Sequence, residues 1–286
     1  MKAVTLFLLF ICVCLSGLVR SQTDTVVTYY DNKSPREIYV TDSLIKDGLY
    51  QIFYESGNLW QIGEYNKGAL TGEWKVYNKN GILIQVSNYV KNKLSGKQSY
   101  YYGDSSIKQL LFYKAGRLDG IAQLYANQSL LSEGYLSEEI NYKDGTKNGI
   151  YIKYNEKGDS VIVGRFISNL KSGTWSYFDD AGLHVKEEKF INNICENTIY
   201  YYNSGELKKQ VFTINDSLSI QFAYYKTGEL KSKLGLLHSS AHGNYIEWYK
   251  SGLKKMTGEF VENRKIGKWE FFIEEGTKKE HYYLNQ

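Results

Sequence analysis

One short phrase recurs along this chain of 286 residues. It reads "TGEWKVYNKNG" at residues 71–81, "SGTWSYFDDAG" at 172–182 and "IGKWEFFIEEG" at 266–276. Each copy has a glycine, a tryptophan two residues on and an aromatic three beyond that, and a second glycine falls nine after the first. Charges in the gaps change while the skeleton stays, so what repeats is a backbone and not a chemistry.

The leading positions are Gly48, Gly72, Gly96, Gly120, Gly149, Gly173, Asn197, Ser219, Gly243 and Gly267. Seven of the nine steps are 24 residues; a step of 29 after Gly120 reads as an insertion, and one of 22 after Asn197 as a two-residue deletion. Five residues after the leading position comes an aromatic in every unit: Phe53, Tyr77, Tyr101, Tyr125, Tyr154, Phe178, Tyr202, Tyr224, Trp248 and Phe272. Two residues after it stand Tyr50, Trp74, Tyr151, Trp175, Ile199, Tyr245 and Trp269, with Gln98, Ala122 and Gln221 as gaps.

Two turns are written per unit. One carries a glycine nine residues in, among them Gly57, Gly81, Gly182 and Gly276. The other places Gly68, Asn92, Gly116, Gly145, Asn169, Asn193 or Asn263 three residues after an aromatic, and Gly and Asn are the residues that most readily take φ > 0. Two turns in 24 residues leave segments of strand length, too short for helices. The 27 Tyr, 12 Phe and 5 Trp beside a single Pro fit the same reading. The expected fold is all-β: an elongated, curved, single-layer antiparallel meander of about ten 24-residue hairpins, roughly 95 Å long before twist. In this frame Trp74, Tyr77, Trp175, Phe178, Trp248, Trp269 and Phe272 are structural rings. Gly72, Gly81, Gly173, Gly182, Gly267 and Gly276 are structural turn residues. Rings two and five positions in face opposite sides of a flat strand, so either both faces are partly covered or a bulge re-aims one row.

Three regions follow. Residues 1–21 open with Lys2 and an apolar run to Leu15, and read as a secretory signal peptide cut ahead of Gln22. Residues 22–47 read as a degenerate first hairpin or cap, with Pro35 and nearby charges blunting its exposed edge. Residues 48–286 are the array. Export places the mature chain in the periplasm, at the outer envelope or outside the cell. Processing removes Lys2 and Arg20 and no acid, so the net charge falls from +4 to +2. That is no electrostatic footprint for nucleic acid. Only Cys195 remains after the cut, which excludes an intramolecular disulfide.

The segments "GEYNKGALTGEWKVY" (63–77), "GRFISNLKSGTWSYF" (164–178) and "GEFVENRKIGKWEFF" (258–272) resemble MORN repeats, in the bacterial variant found in YwqK-type antitoxin-like arrays. The resemblance covers about residues 48–284 and implies a hairpin scaffold for protein or lipid contact without catalysis of its own. An export signal is a departure from a cytoplasmic antitoxin.

No catalytic constellation is written in the chain. His238 and His242 in "HSSAH" have zinc-pair spacing but lie in a turn with no third acidic ligand beside them, and Cys195 has no basic partner in its surroundings. No phosphate-binding glycine cluster, cofactor site or metal site is read. The expected role is a non-enzymatic exported scaffold with a protein partner, whose variable residues include Lys75, Ser176 and Lys268. Three alternatives stand beside it: an antitoxin or immunity-like protein, an aromatic-cage binder of glycan or choline, and a binder of a membrane surface. Partner identity and oligomeric state are not written in the sequence.

Overall fold

A computed structural model describes residues 23–127, 134–274 and 278–283. The signal-peptide reading of residues 1–21 and the turn role of Gly276 lie outside the described residues. Twenty-four strands, β1 to β24 in chain order, form one antiparallel sheet, and the described residues contain no helix. β7 (Lys93–Leu94) and β8 (Gly96–Tyr101) are one strand broken at Ser95, as β10 (Arg117–Leu118) and β11 (Gly120–Ala126) are at Asp119. The result is an elongated, curved hairpin meander in which each strand pairs with its sequence neighbours.

A typical unit consists of a leading strand such as β5 (Ala69–Tyr77) and a return strand such as β6 (Leu83–Val90). The link from a return strand to the next leading strand is a two-residue turn with both residues at φ > 0. Examples are Lys67 and Gly68 at +47° and +79°, and Asn192 and Asn193 at +48° and +69°. Such turns match the twist of the flanking strands. Leu44 at +71° and Ser239 at +67° hold the same position without Gly or Asn, so these two turns escape the sequence rule.

After this turn the leading strand bulges. β4 (Leu59–Asn66) pairs Ile62 with Lys75 and Glu64 with Thr71, which leaves residues 72–74 opposite Gly63 alone. Gly72, at φ +64°, takes the corner and drops the Trp74 indole flat onto Gly63. A Cβ on Gly63 would stand 2.2 Å from the indole. The same arrangement joins Gly164 to Trp175, between β14 (Ser160–Ile167) and β15 (Leu170–Phe178), and Gly258 to Trp269, between β22 (Lys254–Val261) and β23 (Arg264–Phe272). Gly173 and Gly267 hold the corners at φ +69° and +61°.

These tryptophans are the core. Trp74, Trp175 and Trp269 are 7%, 3% and 0% exposed. Each sits in an aromatic block. Trp74 lies against Tyr50 (5.7 Å between ring centres) and edge-on to Tyr65 and Tyr89. Trp175 stacks on Tyr151 at 5.3 Å between Phe166 and Phe190, and Trp269 lies by Tyr245 between Phe260 and Tyr283. Between the first two blocks, buried Gln98 takes the tryptophan's place. Its amide accepts from the Asn88 N–H at 3.1 Å and donates to the Asn88 carbonyl at 3.2 Å.

The second aromatic row lies on the opposite face. At Tyr77 the extra residue, Ile84, is on the partner strand, because Val76 pairs with Gln85 and Tyr77 with Leu83. The leading strand keeps its alternation, so both faces are partly covered. The frame between Phe178 and Trp248 needs one correction. The ring that ends its strand is Tyr201, paired with Leu207, not Tyr202. The steps Phe178, Tyr201, Tyr224, Trp248 are therefore 23, 23 and 24, two single deletions in place of one double. Pro35 also falls differently. It opens β2 (Pro35–Asp42), opposite Tyr29, while the edge strand is β1 (Thr23–Tyr29).

Gly164→Ala should lower stability by about 1–3 kcal/mol through overpacking against Trp175. Trp175→Ala should cost about 3–5 kcal/mol. In urea denaturation the double variant should lose less than the two single losses added, because both act on one contact. Additive losses would disprove the contact.

Candidate interaction surface

Both long edges of the sheet are stapled from unit to unit. On the two-residue-turn edge, the N–H groups of Gly68, Asn92, Gly116, Asn169 and Asn193 reach back to the carbonyls of Lys46, Leu70, Leu94, Lys147 and Lys171 at 2.8–3.1 Å. The Asn92 and Asn169 side chains accept in turn from the Leu70 and Lys147 N–H groups. On the other edge, tyrosines that open the glycine turns donate forward to the carbonyl of the next ring. Tyr54 reaches Tyr77 at 2.9 Å, Tyr225 reaches Trp248 and Tyr249 reaches Phe272, both at 2.8 Å. Where the tyrosine is missing, Asn78, Asn155 or Asp179 accepts from its own turn's N–H groups instead. In this turn class Gly81 and Gly182 sit at φ +79° and +77°.

These turn tyrosines are functional parts of the scaffold that the sequence reading passed over. Their spacing, Tyr202 to Tyr225 to Tyr249, was a readable signal. So was the glycine 11 residues before each block tryptophan.

A third device bears on ligand binding. Lys171 Nζ lies 4.3 Å from the Trp175 ring centre, Lys265 Nζ 4.2 Å from that of Trp269, and Lys46 Nζ 4.3 Å from that of Tyr50. Each lysine stands four residues before its ring. The place a ligand cation would take over an aromatic face is thus filled by the protein's own ammonium.

One surface open to contact is a strip beside the tryptophan row on the same face. Strand alternation and pairing put Glu37, Gln61, Gln85, Gln109, Glu138, Lys186 and Lys209 along one line. All are half-buried; Ile162 interrupts them between Glu138 and Lys186, and past Lys209 the line returns to an acid at Glu247. Next to them stand Val76, Tyr100, Lys153, Tyr177 and Tyr200. Lys75, Ser176 and Lys268, the variable residues picked from sequence, lie by alternation on the opposite face. Lys75 is engaged there by Glu73 at 2.9 Å, and Lys268 joins a network with Glu270, Lys278 and Glu280.

The strip's polar groups satisfy one another. Tyr177 donates to Glu188, whose other oxygen takes Lys186 at 2.9 Å, and the Lys186 ammonium sits 3.7 Å from the Tyr177 ring centre. Burial works against the Glu188 carboxylate, but hydrogen bonds from Tyr177 and Lys186 outweigh it and hold its pKa below the ordinary value. Burial, then the Glu188 hydrogen bond, pushes Tyr177 up. Burial first, with Glu37 and Glu138 beside them, raises Tyr50 and Tyr151 to about 12. Cys195 Sγ meets the Asn197 carbonyl and the Thr198 hydroxyl, at 3.6 and 3.5 Å. Among the described residues no three His, Cys, Asp or Glu side chains group as metal ligands, and His238 forms a two-residue turn with Ser239.

This geometry defines an open β-hairpin repeat protein. Residues 46–67 and 70–91 match the family model described as MORN repeat variant. No curated protein matches. Solved structures with a likeness include the GtfA/B complex bound to UDP and GlcNAc (11% identity, 40% of this chain, 22% of that chain, TM-score 0.20). Another is TcdB2-TccC3-Cdc42 (9% identity, 90% of this chain, 17% of that one, TM-score 0.19). A porin-like protein from Bacteroides uniformis is 8% identical over 91% of this chain and 93% of that one, with a TM-score of 0.21. This chain thus spans about a fifth of the first two, and TM-scores this low bear on neither fold nor function.

Tyr50 and Tyr151 give the fold an alkaline limit. Their folded pKa lies above the unfolded value, so their contribution is complete below pH 10 and is lost as pH rises to about 12. Tyrosinate absorbance should show a fraction of tyrosines ionising only as the protein unfolds in that window. Full ionisation at pH 10 to 11 with the fold intact would contradict this.

Proposed function

We propose that this chain is an exported, non-enzymatic scaffold that binds a protein partner along the half-buried strip of the tryptophan face. The observation that carries this reading is the use of the rings. The block tryptophans are buried, Lys171 and Lys265 cap two of them and Lys46 caps Tyr50 beside the third, and the residues next to them that differ from unit to unit include those of the strip. A long surface of constant skeleton and varied side chains suits recognition of another protein. The MORN match supports a repeat scaffold, and the leader-like residues 1–21 support export to the envelope or beyond. An aromatic-cage role gains nothing from buried rings, of which Trp175, Trp269 and Tyr50 are capped by lysines.

The test is capture from the envelope fraction of the native cell. The wild-type chain should retain one discrete protein, and Lys186→Glu with Lys209→Glu should lose it while keeping the native circular dichroism spectrum. Equal retention by the variant, or no retained protein, would overturn the reading; pelleting with anionic vesicles would favour a membrane surface instead. The mature N-terminus, read by mass spectrometry, should be Gln22. An uncut chain would remove the export proposal.

A further inference from the structure

The two ends of the sheet are different kinds of edge. β1 is a leading strand: its last residue, Tyr29, pairs with Pro35 after the same one-residue shift that sets Tyr77 against Leu83. Tyr30, next in the chain, donates to the Phe53 carbonyl at 2.7 Å as Tyr54 does to that of Tyr77. β24 (Lys278–Tyr283) is a return strand. Tyr283 pairs with Gly267 and His281 with Trp269, as Tyr65 pairs with Gly48 and Gly63 with Tyr50. Within the array the far side of a return strand always receives a leading strand. Among the described residues, β24 presents an open return edge and β1 an open leading edge.

We propose that copies of this chain associate head to tail, β24 of one copy pairing with β1 of the next as though the array continued. Carrying the internal register across the junction sets Tyr282 against Thr23, Glu280 against Val27 and Lys279 against Thr28. His281 then occupies the place of Gly63, and Val26 the place of Trp74. A side chain larger than glycine meets one smaller than tryptophan, as the register places Leu111 opposite Ala122, next to the Leu110–Gln123 pair, inside the array. Asp24 falls at the bulge, facing His281.

The edges carry what such a junction would bury. Tyr29 is 60% exposed, Tyr282 64% and Val27 37%, although the rings equivalent to Tyr29 inside the array, such as Phe53 and Tyr77, are half-buried. Edge strands are ordinarily blunted by lysine, proline or bulges; β1, "TDTVVTY", has one charge and none of these devices on its open side. Because the two edges differ, the contact is heterologous and grows into an open chain instead of closing as a dimer.

The test uses purified protein alone, expressed from its whole reading frame, so its outcome is separate from capture of an outside partner. In a Cys195→Ser background, Thr28→Cys and Lys279→Cys are made singly. Oxidising an equal mixture should give a disulfide-linked pair containing one of each, while neither variant should cross-link alone. Cross-linking within one variant, or none in the mixture, overturns the proposal. The unaltered chain gives an independent reading: in sedimentation its average mass should rise past that of a dimer with concentration. Val27→Lys with Tyr282→Lys should abolish that rise. A monomer at every concentration, or growth that stops at a dimer, contradicts it.

Discussion

An indole lying flat on a glycine of the neighbouring strand is the contact on which this molecule depends. A single antiparallel layer has no second sheet to bury its apolar face, and a lone hairpin is marginal in water. The bulge at Gly72, Gly173 and Gly267 lets the strand turn one ring down onto bare backbone, where it is sealed by rings from the units on either side. Gly63, Gly164 and Gly258 make that approach sterically allowed. A core thus forms from sequence neighbours, without a long-range partner.

Much of this was legible. The 24-residue step and the two turn signals gave strand number, pairing order and the exposed character of the turns, because a backbone at φ > 0 leaves Gly and Asn as its mark. Trp74, Trp175 and Trp269 were readable as rings, but not which face they took, since a bulge and a regular strand can carry the same spacing. The unit lengths around Tyr201 and Tyr202 could not be settled from adjacent tyrosines that look alike in sequence. The Lys171 and Lys265 caps and the turn-tyrosine staples were written at constant offsets, yet their meaning needs three dimensions. Lys75 and Lys268 stood out because they vary, and variability alone could not tell that they lie opposite the strip.

The array is not uniform. Three aromatic blocks are separated by stretches where Gln98 and Ala122, or Thr198 and Gln221, stand in the ring's place. Gln98 repairs its gap with hydrogen bonds to Asn88, which are directional and satisfy the buried amide but bring less apolar burial. In a repeat chain each unit leans mainly on its neighbours, so stability should rise and fall along the axis with these blocks. The tyrosine and asparagine staples run through blocks and gaps alike, which keeps the sheet continuous where the rings are missing.

Native-state hydrogen exchange resolved by strand tests the central claim most directly. If ring-on-glycine packing sets stability, amides of β4 to β6, β14 to β16 and β22 to β23 should exchange more slowly than those of β8 to β11 and of β17 to β19 (Ile194–Tyr224), in two tiers along one sheet. Equal protection throughout, or slower exchange in the gaps than in the blocks, would show that the backbone ladder holds this fold and that the tryptophans merely decorate it.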